Sequence, residues 1–210
     1  TKLRSKREVF DNIFKIYDGG QITVIRPGIA MVKIPGVDYL SLIFSHRREI
    51  KRQIRVFAPN VVVGFGILNS YLAAKAAARN NIPFIHYWLD VMHMLIPYKY
   101  FRPMGEVIEK MILRQADVAV ATNKRLRARL VEMGAHPEKA YVVRHGIDVA
   151  KFNPDLVDGS MVRQRWGIKP DDIVLAFVGR LSRITGVREI TLALTKVDNP
   201  HVKLLVVGTG

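Results

Sequence analysis

From Asn60 to Arg144 the chain alternates short, apolar, largely β-branched runs with helical segments of about 10–15 residues. That alternation limits the fold more than any other feature. Asn60 to Gly66 reads as a strand running into a glycine turn, alanine-rich Leu68 to Asn80 as a helix, and Ile82 to Trp88 as a second strand. Gly105 to Gln115 carries helical spacing at Val107, Ile108, Met111 and Ile112, and Ala116 to Ala121 is a third strand. Asn123 is placed to cap a helix that runs to Met133 and is ended by Gly134, after which Lys139 to Arg144 returns as a strand. Strands separated in this way form βαβ units, so the fold class is α/β, with a parallel sheet and right-handed crossovers. The strand runs are apolar throughout, which predicts helices on both faces of the sheet.

The cycle then breaks and restarts. Residues 146–171 are punctuated by Gly146, Pro154, Gly159 and Gly167 and read as a linker with a short helix near Val162 to Trp166. Residues 172–210 open a second domain: a strand at Ile173–Val178, a loop from Gly179 to Gly186, a helix from Val187 to Thr195 and a strand at Val202–Val207. Two strands and one helix bury too little to stand alone, so the expectation is an incomplete second domain in an inactive fragment of a longer protein. Residues 1–145 form the first domain. Within it Thr1 to Phe10 reads as a helix or a disordered arm, and Gln21 to Pro35 as two short strands around Pro27-Gly28. Arg47 to Arg55 reads as a strongly basic helix whose apolar positions Ile50, Ile54 and Val56 face away from the charge.

Charge narrows the choice of partners. Lys and Arg number 33 against 18 Asp and Glu, a net +15. Of these, 24 basic and 11 acidic residues lie in 1–145, and only 9 and 7 in the remainder. An excess of this size implies an anionic partner: nucleic acid, a phospholipid surface or a phosphorylated substrate. The absence of cysteine excludes disulfides, thiolate catalysis and cysteine-ligated metal centres. There is no apolar run of membrane-spanning length, and residues 1–20 do not read as a signal peptide, so the expected location is cytoplasmic.

Several segments together resemble one family. Tyr141 to Pro154 (Tyr-Val-Val-Arg-His-Gly-Ile-Asp-Val-Ala-Lys-Phe-Asn-Pro) is similar to the strand and turn written V-I-P-N-G-V-D-x-x-x-F-x-P in retaining GT-B glycosyltransferases of family four. Ala116 to Pro137 resembles that family's A-D-x-V-x-x-x-S segment, Ile173 to Val187 its F-V-G-R-L-x-x-x-K-G-V segment, and Lys203 to Gly210 its L-x-I-x-G-x-G ending. The resemblance implies two Rossmann-like domains facing a cleft, the first holding the acceptor and the second the nucleotide-sugar donor. It implies donor contacts at Gly179, Arg180, Arg183, Thr185 and Gly186, with the Arg180 guanidinium gripping the diphosphate. Arg180 read without the resemblance is equally an arginine satisfying a carboxylate. Two departures stand out: Thr185 occupies the place of the family's diphosphate-binding lysine, and His145 that of its asparagine. The family's first βαβ unit is not recognisable near the start.

His86, Asp90 and His93 lie on and just beyond the strand from Ile82. The resemblance places a His or Asp of this loop toward the reacting sugar, where it would orient an acceptor hydroxyl or take its proton; Asp90 matches best. A metal site from the three, or polar side chains satisfied in the core, are the competing readings; the resemblance implies no bound metal and no cofactor. Tyr98, Lys99, Tyr100, Phe101 and Arg102 mix rings and cations in the manner of an interfacial insertion, or else cover the core. With the basic helix and the basic run Lys124, Arg125, Arg127 and Arg129, they suggest association with an anionic membrane surface. The expected function is transfer of a hexose, with retention, from a nucleotide-diphosphate sugar to a lipid-linked or glycan acceptor. The alternatives are a basic nucleic-acid-binding protein, for which no RRM, KH, OB or helix-turn-helix pattern exists, and a GT-B epimerase or non-catalytic relative.

Overall fold

The computed structural model describes residues 6–11, 21–28, 37–96 and 98–210, and the chain divides into two compact units, Thr1–His145 and Gly146–Gly210. The first unit opens with an antiparallel pair, β1 (Glu8–Asp11) and β2 (Thr23–Arg26), in which Glu8 lies opposite Arg26 and Asp11 opposite Thr23. The start of the chain therefore holds a strand where helix or disorder is expected; Val9 and Phe10, two adjacent apolar residues between Glu8 and Asp11, form too short a run to stand out beside the basic residues. Residues 1–5, and the second of the two strands expected around Pro27-Gly28, lie outside the described residues. The basic helix is longer than its charge suggests: α1 spans Val37–Phe57.

The core of this unit is a four-stranded parallel sheet in the order β3 (Val62–Gly64), β4 (Phe84–Trp88), β5 (Val118–Ala121), β6 (Ala140–Val142). The connections carry α2 (Leu68–Ala78), α3 (Arg102–Gln115) and α4 (Lys124–Glu132). Asn123 caps α4 as expected, its Oδ1 accepting the Leu126 N–H at 2.8 Å. Asp117 ties the starts of two strands together: its backbone N–H donates to the Phe84 carbonyl at 3.0 Å, and its Oδ2 accepts the Phe84 N–H at 2.8 Å.

Strand order explains where the helices lie. Crossovers of one hand that always step in the same direction across a sheet deliver their helices to one face. The side chains agree: Phe84, His86 and Trp88 of β4 are buried at every second position, with Ala119 and Ala121 of β5 on the same face. Phe84 packs with Ala73, Ala74 and Ala77 of α2 and Ile112 of α3, and α1 adds Ile50 to this group. Trp88 packs with Leu113 of α3, Leu130 of α4 and Met133. On the other face Val63 and Tyr141 are exposed, while Val120 is buried. Alanines dominate the contact layer, so helix and sheet approach closely and the bulk is supplied by a few large residues.

The second unit contains α5 (Ser160–Arg165), β7 (Ile173–Val178), α6 (Val187–Leu194) and β8 (Val202–Val207), with β7 and β8 parallel and in register from Ile173–Val202 to Val178–Val207. Both strands have the expected bounds, α6 ends one residue before its expected end, and α5 begins two residues before the helix expected near Val162 to Trp166.

Gly64 ends β3 beneath the α2 layer, where a Cβ would sit 2.6 Å from the Phe84 ring and 2.7 Å from Ser70 Oγ. Gly64→Ala forces the ring and the buried hydroxyl apart; the expected cost is about 1–3 kcal/mol, seen as a lowered midpoint in urea unfolding followed by circular dichroism.

Candidate functional site

In open α/β sheets ligands collect beyond the carboxyl ends of the strands. At that end of β4 the chain runs through Leu89 and Asp90 into a one-turn 3₁₀ segment, Met92–Leu95. Asp90 is exposed, and its Oδ1 accepts the Val91 N–H at 2.7 Å, which fixes the carboxylate at the strand end. This is the position a residue meeting a substrate hydroxyl would need.

The two histidines named with Asp90 do something else. The period of two in β4 turns His86 to the helix-covered face, where it is wholly enclosed and stacked at 6.4 Å against Phe84. Neither ring nitrogen has a hydrogen-bond partner among the described residues. Burial pushes its pKa down to about 4; the neighbouring Gly64 backbone pulls the other way without making a well-formed hydrogen bond. His86 is thus a neutral core residue.

His93 is also buried, folded under α3 with its Nδ1 against Glu109 Oε2. Glu109 is fully enclosed and holds three groups: the His93 ring, the His93 backbone N–H at 3.3 Å, and the Trp88 indole N–H, which donates to Oε1 at 3.0 Å. The clamp anchors both ends of the segment that presents Asp90. The ligand atoms of His86, Asp90 and His93 do not converge as a metal site would require. Sequence reasoning passed over Glu109, yet a signal was there: a carboxylate stands between Ile108 and Ile112 on the stripe that α3 buries, and charges are rarely buried unless paired.

Beyond the clamp, Met94, Leu95, Tyr98, Tyr100, Phe101 and Met104 are all exposed, Tyr100 to 83%. Tyr98 meets Phe101 edge-to-face at 6.3 Å, and Lys99 Nζ lies 5.5 Å from the Tyr100 ring centre. Arg102 is drawn inward, its Nε–H donating to the Ile96 carbonyl at 3.2 Å. The core-covering reading of this segment therefore fits Arg102 alone; the rings face solvent. The basic run on α4 is also partly committed, since Arg127 donates to the Ala140 carbonyl at 2.7 Å and the Pro137 carbonyl at 2.9 Å, and Arg129 pairs with Glu132 at 3.0 Å. Lys124 and Arg125 remain exposed.

In the second unit the loop from Gly179 to Gly186 leaves the end of β7. Its first turns are stitched to the end of β8: Gly179 N–H donates to the Val207 carbonyl at 3.0 Å and Leu181 N–H to the Thr209 carbonyl at 2.9 Å. Gly208 permits this, since any Cβ there would drive into the Gly179 carbonyl oxygen. Thr185 turns inward, its hydroxyl donating to the Ser182 carbonyl at 2.9 Å and accepting the Ser182 N–H at 3.3 Å. The hydroxyl closes the loop and has no proton left for a ligand. Arg180, Arg183 and Arg188 are exposed, with no acidic partner among the described residues. Gly186 opens α6 at φ +80°.

Similarity to known proteins agrees with this layout. Residues 11–151 match the profile of Glycosyltransferase Family 4. A D-inositol 3-phosphate glycosyltransferase from Segniliparus rotundus is 33% identical over 87% of the chain and 44% of its own length. One from Xylanimonas cellulosilytica is 28% identical over 88% of the chain and 49% of its length. The chain thus spans about half or less of the length of these relatives. Among solved structures, Anabaena HepE in complex with UDP superposes with a TM-score of 0.64 at 17% identity, covering 84% of the chain and 46% of HepE, which shows a shared fold.

Two measurements check the reading of the buried groups. Glu109→Leu strands the indole and His93 N–H groups and should cost about 3–5 kcal/mol, with a shift in tryptophan emission, whereas Asp90→Asn should change stability by no more than about 0.5 kcal/mol. Below the ordinary histidine value of 6.5, the unfolded chain takes up a proton that folded His86 refuses until about pH 4. Acid therefore favours unfolding across that window by about 1.4 kcal/mol per pH unit, and His86→Leu should flatten that part of a stability–pH profile from urea titrations.

Proposed function

The chain belongs to Glycosyltransferase Family 4, and from that we propose that it transfers a hexose, with retention, from a nucleotide-diphosphate sugar to a lipid-linked or glycan acceptor at the inner surface of a membrane. The observation that carries the donor half is Arg180: an exposed guanidinium at the carboxyl end of β7, on a glycine-bounded loop, with no acidic partner among the described residues. Arg183 and Arg188 extend the cationic loop, and they take over what Thr185 cannot supply, because its hydroxyl is spent on Ser182.

The chemistry is electrostatic. As the bond from the anomeric carbon to the diphosphate oxygen breaks, negative charge grows on that oxygen, and Arg180 stabilises it with paired hydrogen bonds. The acceptor oxygen forms the new bond on the same face and passes its proton to the departing phosphate, so no protein nucleophile is needed. Asp90 orients the acceptor hydroxyl. UDP bound to HepE illustrates a nucleotide in this fold, and the inositol 3-phosphate in the names of the curated relatives suits an acceptor that carries phosphate.

Membrane association rests on the exposed rings Tyr98, Tyr100 and Phe101 beside Lys99, which suit the headgroup level of a bilayer. Among the described residues no helix is long and apolar enough to cross a membrane.

Thermal-shift titration of the full-length protein with UDP-, GDP- and ADP-sugars should give one saturable partner. Arg180→Ala should weaken it by about tenfold or more; equal shifts for wild type and variant would remove Arg180 from the donor site. Co-sedimentation with phosphatidylglycerol vesicles should exceed that with phosphatidylcholine, fall with salt and drop in Tyr100→Ala/Phe101→Ala. Equal binding to both vesicle types would end the membrane reading.

A further inference from the structure

One cavity in the first unit lies neither at Asp90 nor at the exposed rings. It measures about 920 Å³ and lies between α1 and the segments flanking the β1–β2 pair. Six cations line it: Lys6 and Arg7 from the approach to β1, and Arg48, Lys51, Arg52 and Arg55 from α1. The four on α1 fall at i, i+3, i+4 and i+7, a single helical face, while Ile50 on a different face packs toward α2.

The one carboxylate in the cavity is already taken. Arg7 grips Glu49 with both ends of its fork, Nε and Nη2 each at 2.9 Å, and Gln53 donates to the same carboxylate at 2.7 Å. The Arg7 guanidinium, ahead of every other influence, holds the Glu49 carboxyl below its usual range. Arg52 reaches Glu49 only at 4.0 Å, and Lys6, Arg48, Lys51 and Arg55 have no acidic partner among the described residues. The wall is built: the Ser45 hydroxyl donates to the Gly28 carbonyl at 2.6 Å and pins the chain after β2 to the helix. A second cavity of about 320 Å³ on the flank of α1 shares Lys51 and adds Arg47, Lys75 and Arg79, so the cationic field continues around the helix. Like charges crowded about one concavity repel, and a bound anion offsets that repulsion.

Position separates this cavity from the chemistry. The carboxyl end of α1 leads through four residues to the start of β3, so Arg52 and Arg55 lie near the amino ends of the strands. Asp90 follows the carboxyl end of β4. We infer that the cavity between α1 and the β1–β2 pair is a binding site for a compact anion bearing two or more phosphates, held by arginine forks at the edge of the sheet opposite Asp90. A guanidinium fork matches phosphate geometry, and the four cations without an acidic partner among the described residues, Lys6, Arg48, Lys51 and Arg55, suit several phosphate charges better than one. The inference does not depend on sugar transfer.

The test is calorimetric titration of the chain with inorganic triphosphate at low and high salt. One saturable site is expected, weakened by about tenfold or more in Arg48→Ala/Arg55→Ala. Lys124→Ala/Arg125→Ala removes the same charge from α4 and should leave affinity within about twofold; circular dichroism confirms that both variants are folded. Equal weakening in the two variants, or no saturation, would overturn the site in favour of diffuse charge. Competition separates the sources of phosphate: displacement of triphosphate by phosphatidylglycerol vesicles, but not phosphatidylcholine, assigns the site to lipid headgroups. Failure of vesicles to compete assigns it to a soluble phosphate. Displacement by duplex DNA with a steep salt slope would replace the proposal with a nucleic-acid site.

Discussion

One buried carboxylate organises the working end of the first unit. Glu109 takes the Trp88 indole at the end of β4 and both the backbone and ring of His93 in the following turn. A charge placed this deep is costly unless every lone pair is used, and here three groups converge on it. The loop between Trp88 and His93 therefore has little freedom, and Asp90, at its crest, inherits a fixed position from residues that never meet solvent. The rest of the unit is arranged around that clamp: α3 carries Glu109 on its buried stripe, and the alanine-lined contact with α2 lets α3 seat against the sheet.

Much of this architecture was legible because strand and helix periods differ. The apolar runs from Val62 to Val142 and from Ile173 to Val207 became strands where their pattern said so, and Asn123 capped its helix. What the pattern withheld was the side on which the helices sit. Apolar runs predict burial on both faces, but face assignment depends on strand order, and a monotonic order sends α2, α3 and α4 to one face. The same limit explains the histidines. His86 and His93 stand near a strand end in the sequence, as Asp90 does, yet only the register of β4 and the turn after it decide which of them reaches solvent. β2 falls where a short strand is expected, but its partner β1 does not, because a four-residue strand beside a basic run carries a weak signal.

The excess charge also resolves into parts with different uses. Arg7, Arg102, Arg127 and Arg129 serve the fold, bonded to Glu49, to backbone carbonyls and to Glu132. The face of α1 formed by Arg48, Lys51 and Arg55 has no such employment among the described residues. A net charge read from composition cannot distinguish these, because a guanidinium capping a carbonyl and one facing a cavity count alike.

Thr185 has a consequence for how a donor would be held. A lysine at that point would be a long tether, free until a ligand arrives and ordered at that moment. The threonine instead locks Ser182 to itself during folding, so the loop reaches its shape before any phosphate is present. The entropy of ordering is then settled in the folded state and does not oppose binding, so the loop would offer a preset backbone contour with Arg180, Arg183 and Arg188 as its adaptable cations. Such a contour would discriminate by shape.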